Sequence, residues 1–216
     1  QTGSEVSQFG HTNIRETHLN EAEPTINFGD SSIVELGTGF GPNSGMQSHL
    51  TFALDNGQVP LAAYSNIHSA SAGFYLDSWT ETGGATEMTF SVHRIINSQW
   101  AQYSSTWNAS SSSASGAWGA PGMQAGVDYD ATPISTFVES NLNENRWIWF
   151  DIGVSGMLID NDNSWIIIGT PNQGTLLGEF YSSEYVISSM RPKIMLNHTN
   201  VTTISVSPTA PTTDAD

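Results

Sequence analysis

The sequence predicts an all-β chain, a jelly-roll-like antiparallel β-sandwich with extended N- and C-terminal tails. Three observations carry that expectation. Apolar residues alternate with polar ones, or run in short blocks, with the two-residue period of a pleated strand. Twenty glycines and nine prolines punctuate those blocks. No long window repeats its apolar residues with the 3.6-residue period of an amphipathic helix, so a parallel βαβ architecture is excluded.

In chain order the clear strands are Ile33–Leu36, His49–Leu54, Ser71–Leu76, Met88–Ile95, Arg146–Ile152, Trp165–Gly169 and Pro192–Asn197. Each is bounded by Gly, Asn, Asp, Ser or Pro. The segment from Val127 to Asn143 is the best candidate for a helical turn or two. Residues 1–14 are polar, with Val6 and Phe9 the main hydrophobes, and are expected as a tail. The sandwich is expected over 15–199. Residues 200–207 place Thr202, Ile204 and Val206 on one face, the pattern of one strand more than the domain needs. Residues 208–216 (Pro-Thr-Ala-Pro-Thr-Thr-Asp-Ala-Asp) read as an extended linker.

The chain has 216 residues, one domain's worth, and 38% are hydrophobic, enough for a core. Five Lys and Arg stand against 21 Asp and Glu, a net charge of −16. That charge repels phosphate backbones, which argues against nucleic-acid partners. No apolar run approaches the length that spans a membrane. The absence of cysteine removes disulfides, thiolate metal sites and thiol catalysis. Ser and Thr make up 50 residues and Lys only one, so the surface is hydroxyl and amide rather than ionic. Asn-x-Ser/Thr sequons occur at Asn108, Asn197 and Asn200. With a start at Gln1 and no charged-then-apolar leader, these features point to a secreted or cell-surface protein, a glycoprotein if the sequons are used.

A series of short motifs then falls into order. Glu16-Thr17-His18-Leu19 and Pro24 precede Asn27-Phe28-Gly29 and Ile33-Val34-Glu35-Leu36-Gly37. Leu50-Thr51-Phe52-Ala53-Leu54 follows, then Thr106-Trp107-Asn108, Trp118-Gly119 and Pro121-Gly122. Trp149-Phe150-Asp151-Ile152, Ser182-Ser183-Glu184 and Arg191-Pro192-Lys193 close the series. Over roughly residues 16–198 this order resembles the DNRLRE-type β-sandwich family, which is also classed among carbohydrate-binding modules. The resemblance implies a jelly-roll-like sandwich of secreted and cell-surface proteins; it does not imply a catalytic site. Read from the residues, Asn27-Phe28-Gly29 is a turn in which Asn and Gly take positive φ and Phe tucks under the sheet.

Motifs for catalysis are absent: there is no Gly-x-Ser-x-Gly elbow, phosphate loop or His-Glu-x-x-His, and the chain is expected not to be an enzyme. The six histidines show no i, i+4 pair and read as strand or surface residues. Asp160, Asp162 and Ser164 offer oxygen ligands at alternate positions and are the candidate site for structural calcium. Trp165 and Pro171, where a calcium-binding helix–loop–helix needs Gly and Glu, exclude that motif. Trp147 and Trp149 share one face of a strand, as a flat sugar platform or as core. Trp100, Trp107 and Trp118 fall in loops and are the candidate sugar-stacking residues. Two functions follow as expectations. One is a non-catalytic subunit of an extracellular filament or surface assembly, its partner another copy of itself, docked through Thr202, Ile204 and Val206. The other is a module that binds a polysaccharide beside a secreted degrading enzyme.

Overall fold

The computed structural model describes residues 5–9, 14–39, 45–54, 64–97, 100–111, 116–153 and 163–200. Among these are eleven strands: β1 Glu5–Phe9, β2 Ile14–Asn20, β3 Ile33–Thr38, β4 Gln47–Leu54, β5 Tyr64–Thr82, β6 Met88–Arg94, β7 Ser135–Glu139, β8 Arg146–Asp151, β9 Asn163–Pro171, β10 Thr175–Tyr181 and β11 Lys193–Asn200. The one helical piece among the described residues is a 3₁₀ turn at Ser188–Met190. The chain is therefore all-β, and every strand pairing is antiparallel.

The strands hydrogen-bond into one curled sheet in the order β1-β11-β5-β10-β3-β4-β9-β6-β7, with β2 on β4 and β8 on β5. β5 organises the first half. Its first part pairs with β11, its last part with β10, and β8 lies along Ser71–Leu76. The β3–β4 corner, where Gly37 pairs with Ser48, leads into the second half, β2-β4-β9-β6-β7.

The alternation explains why the sheet curls. Leu50, Phe52 and Leu54 of β4, Phe74 and Leu76 of β5, Met88, Phe90 and Val92 of β6, and Ile148 and Phe150 of β8 all bury into one core. Rings from strands that are not hydrogen-bonded to each other meet there. Phe52 lies 5.4 Å from Phe74, and Phe90 lies 5.3 Å from Phe150. The two halves thus face one another across this interior.

A second apolar layer lies on the other side of β2, β4, β9 and β6. It joins Leu19, Ala53, Ile95 and Ile166 to Trp100, Trp107, Trp118 and Met123 of the long connection between β6 and β7. Asp128 is fully buried and organises this cover. Its carboxylate accepts from the Gly119 and Gln124 backbone N–H groups at 2.8 and 2.7 Å and from the Asn97 amide at 2.9 Å. His49 and His93 pin the cover to the sheet through the carbonyls of Gly122 and Asp130, at 3.1 and 2.8 Å.

Several elements differ from the sequence expectation. Val127–Asn143 holds no helix: Pro133 precedes β7, and β-branched Thr136 and Val138 face out while Phe137 packs on Phe90 at 5.2 Å. The expected tail at 1–14 includes strand β1, because the open edge of β11 offers main-chain partners to Glu5–Phe9. The Asn27-Phe28-Gly29 turn works without positive φ at Asn27 or Gly29. Instead, the Asn27 amide donates to the carbonyls of Gln102 and Ser105 at 2.8 and 2.7 Å. Gly29 is needed for close approach, since a Cβ there would sit 2.2 Å from the Gln102 oxygen.

Candidate functional site

Among the described residues, β1 is the outermost strand of the sheet on the β11 side. β11 turns Ile194, Leu196 and His198 into the protein, all buried, while Lys193, Met195, Asn197 and Thr199 are half-buried on the outer face. β1 runs antiparallel along it, from Glu5 opposite His198 to Phe9 opposite Ile194. A side-chain hydrogen bond between the two strands joins the Ser7 hydroxyl and His198 Nε2 at 2.8 Å. None of the described side chains of β1 is buried, and Val6 is 63% exposed.

Next to that edge, the outer face of β8, β5 and β10 carries a row of rings. Trp149 stacks on Trp147 at 5.6 Å, Trp147 meets Tyr75 edge-on at 5.5 Å, Tyr75 stacks on Tyr181 at 5.6 Å, and Tyr181 on Tyr185 at 3.5 Å. Gly73 makes this possible, because a Cβ there would meet the Trp149 ring at 2.7 Å. Lys193 Nζ lies 4.3 Å from the centroid of Trp147. Trp147 and Trp149 are thus neither inter-sheet core nor a flat platform: the rings face each other and Lys193, and Trp149 alone of the pair is exposed.

A cleft of about 320 Å³ opens between the start of β2, the cover and the β10–β11 connection. It is lined by Ile14, Arg15, Gln102, Tyr103, Ser183, Glu184 and Arg191. Two of the chain's five basic side chains meet here. The Arg15 guanidinium lies 5.8 Å from the centroid of Trp100, and Arg191 Nε donates to the Tyr185 carbonyl. Tyr103 is 61% exposed, and its hydroxyl donates to Glu184 at 3.4 Å. A guanidinium, a carboxylate, an amide and an open ring suit a ligand rich in hydroxyl groups.

Ionisable groups are buried nearby on the inward face of β2. Glu16 accepts from the Ser183 backbone N–H at 2.6 Å, while its Oε2 has no partner, and burial pushes its carboxyl up to about 7. His18 stacks on Phe28 at 4.1 Å, and burial holds its imidazole down to about 3. It is therefore neutral at pH 7, and its 3.7 Å approach to Glu35 is not an ion pair. Burial also raises the Glu35 carboxyl, and Glu179, its cross-strand partner, adds to the shift.

The residues singled out in the sequence are dispersed. Trp100, Trp107 and Trp118 are only 7, 8 and 6% exposed, as the core of the cover, so no ring face is open for a stacked sugar. The long connection looked like surface loop because its apolar residues have no period. Asp160 and Asp162 lie outside the described residues. Ser164 sits on no turn: it is buried in β9 opposite Ala53, with its carbonyl taken by the Ile95 N–H at 2.9 Å. Among the described residues no three His, Asp or Glu side chains form a metal-binding group. Asn108 is exposed on the cover, Asn197 lies within β11 between Val6 and Ser69, and Asn200 is the last residue of that strand. Thr202, Ile204 and Val206 lie outside the described residues. No helix among the described residues is long and apolar enough to cross a membrane.

Compared with known proteins, the chain matches no family model and no curated sequence.

Proposed function

We propose that the chain is a non-catalytic structural subunit of an extracellular filament or surface assembly, with copies joined by strand addition from a terminal segment. The carrying observation is that, among the described residues, the sheet's path begins at β1 and ends at β7, each five residues long, and these two strands do not pair with each other. Such an edge offers main-chain donors and acceptors to another strand. Strand addition between copies that repeats without closing produces a fibre. The motif order resembling the DNRLRE-type family, the hydroxyl-rich surface and the three sequons support a place outside the cell. Negative-stain microscopy of the purified chain tests the reading: fibres or sheets are expected, and dispersed single particles at every concentration would refute it.

The cleft at Arg15, Tyr103, Glu184 and Arg191 favours a second reading, binding of a neutral polysaccharide. Guanidinium and carboxylate groups pair with vicinal hydroxyls, and an exposed tyrosine supplies a ring for a sugar face. Affinity electrophoresis in gels cast with neutral glycans tests it. Retardation that Tyr103→Ala and Arg191→Ala both abolish supports the reading, and unretarded migration in every gel refutes it.

A further inference from the structure

We infer that Glu16 is the positioning residue of the cleft. With its proton on, the buried carboxyl holds the Ser183–Glu184 wall against β2; with its proton off, it releases that wall. The cleft therefore grips a glycan in acid and loosens in alkali. This rests on the reading of the cleft as a site for a neutral polysaccharide and names what regulates it.

The cleft has two walls of different make. Ile14 and Arg15 belong to β2, which pairs with β4 from Ile14 opposite Leu54 to Asn20 opposite Ser48. Ser183, Glu184 and Arg191 belong to the β10–β11 connection. From Glu184 to Met190 that connection buries no side chain, and Val186 is 81% exposed. Three fastenings hold its start. The Ser182 hydroxyl donates to the Ser31 carbonyl at 2.6 Å, Tyr185 stacks on Tyr181 at 3.5 Å, and the Ser183 backbone N–H donates to Glu16 at 2.6 Å. Of these three, the Glu16 bond joins one wall of the cleft to the strand that forms the other.

That bond is also the one that changes character with pH. Glu16 is 1% exposed, and its Oε2 has no hydrogen-bond partner among the described residues. Burial pushes the carboxyl up to about 7 against the Ser183 hydrogen bonds, which favour the anion, and Glu184 adds to the rise. Every packed element was considered for a compensating charge. Its cross-strand partner on β4 is Phe52, and His18, two residues along β2, is held neutral by burial. The cover contributes Tyr103, raised by burial and by Glu184, with smaller effects from Asp30 and from Glu16 itself. Arg15 and Arg191 line the cleft, where Arg15 lies over Trp100 and Arg191 bonds the Tyr185 carbonyl. Once ionised, Glu16 gains by drawing water to Oε2 and by moving away from Glu184, and both motions part Ser183 and Glu184 from β2. A ligand that needs both walls then competes with ionisation. One proton is involved, so affinity falls by at most about tenfold per pH unit above 7.

Affinity electrophoresis in gels cast with hydroxyethylcellulose and with galactomannan, each compared with a glycan-free gel at the same pH from about 5.5 to 8.5, tests this. Retardation of the wild-type chain should weaken above pH 7, and Glu16→Gln, which cannot ionise, should give a flat profile. Profiles that are flat in both chains, or that fall in parallel, would overturn the inference and leave the glycan reading standing. No retardation in either gel at any pH would overturn both. Amide hydrogen exchange reads the wall without a ligand. Above pH 7 the wild-type Ser183 amide should lose protection relative to Glu16→Gln, while still exchanging faster than the amides of β4, as opening of the wall alone requires. Equal Ser183 protection in the two chains, or exchange only at the rate of β4, would overturn the inference.

Discussion

Replacing Glu16 by glutamine should stabilise the protein at alkaline pH and leave it unchanged in acid. The Glu16 carboxyl is buried with one oxygen unpartnered, and its folded-state value is pushed from 4.5 up to about 7. A group whose value is raised on folding contributes stability fully present below 4.5 and lost as pH rises through 7, because the unfolded chain then sheds its proton more readily. At about 1.4 kcal/mol per pH unit of displacement, the wild-type chain carries a penalty of about 3 kcal/mol at pH 8. Glutamine keeps an oxygen for the Ser183 N–H and mimics the protonated acid, so it escapes that penalty. For a domain of this size, about 2–4 °C in Tm accompanies each kcal/mol, so Glu16→Gln should melt about 6–12 °C above wild type at pH 8 and level with it at pH 4. Thermal melts of both proteins from pH 4 to 8 measure this. A difference in Tm that is flat across the range would show that the carboxyl is not titrating between 4.5 and 7, and would refute the burial argument.

Other perturbations have equally definite outcomes. Asp128→Ala removes the acceptor for the Gly119, Gln124 and Asn97 donors and should cost roughly 3 kcal/mol or more, seen as a lowered urea midpoint with blue-edge tryptophan emission lost from the cover; an unchanged midpoint would contradict the role given to that carboxylate. His49, held down to about 4 by burial, contributes stability that is present above 6.5 and lost as pH falls toward 4. His49→Gln should therefore flatten the acid limb of the Tm profile, and a limb of the same slope would assign acid loss to other groups. Trp107→Ala should destabilise by about 3–5 kcal/mol as a large-to-small change in the second apolar layer, whereas Trp149→Ala should lower Tm far less; equal effects would contradict the placement of the two rings.

Legibility from sequence followed side-chain alternation. β4, β6, β8 and β9 were readable because alternate residues such as Leu50, Phe52 and Leu54, or Phe90 and Val92, are apolar and enter one core. β2 was legible only through the motif order, where Glu16-Thr17-His18-Leu19 matches an opening strand, because Glu16 and His18 occupy inward positions and mask the period. β10 was hidden because Gly178 interrupts Thr-Leu-Leu-Gly-Glu-Phe-Tyr. β1 was unreadable for the opposite reason: pairing along β11 holds it, and that requires no pattern in its own residues. The cover carried no signal either, since Trp100, Trp107 and Trp118 converge from irregular chain through Asp128, Asn27 and His49 rather than through any period. Neither the cleft nor the aromatic row was visible as a unit. The cleft joins residues from β2, the cover and the β10–β11 connection, and the row joins β8, β5, β10 and Tyr185, so sequence separation conceals both.

The central claim is that a chain whose described strands leave the sheet open at β1 and β7 associates with copies of itself. Sedimentation velocity of the intact chain over a wide concentration range tests it most directly. Species at multiples of 23.3 kDa that grow with concentration are predicted, and a single boundary at the monomer mass throughout would contradict it.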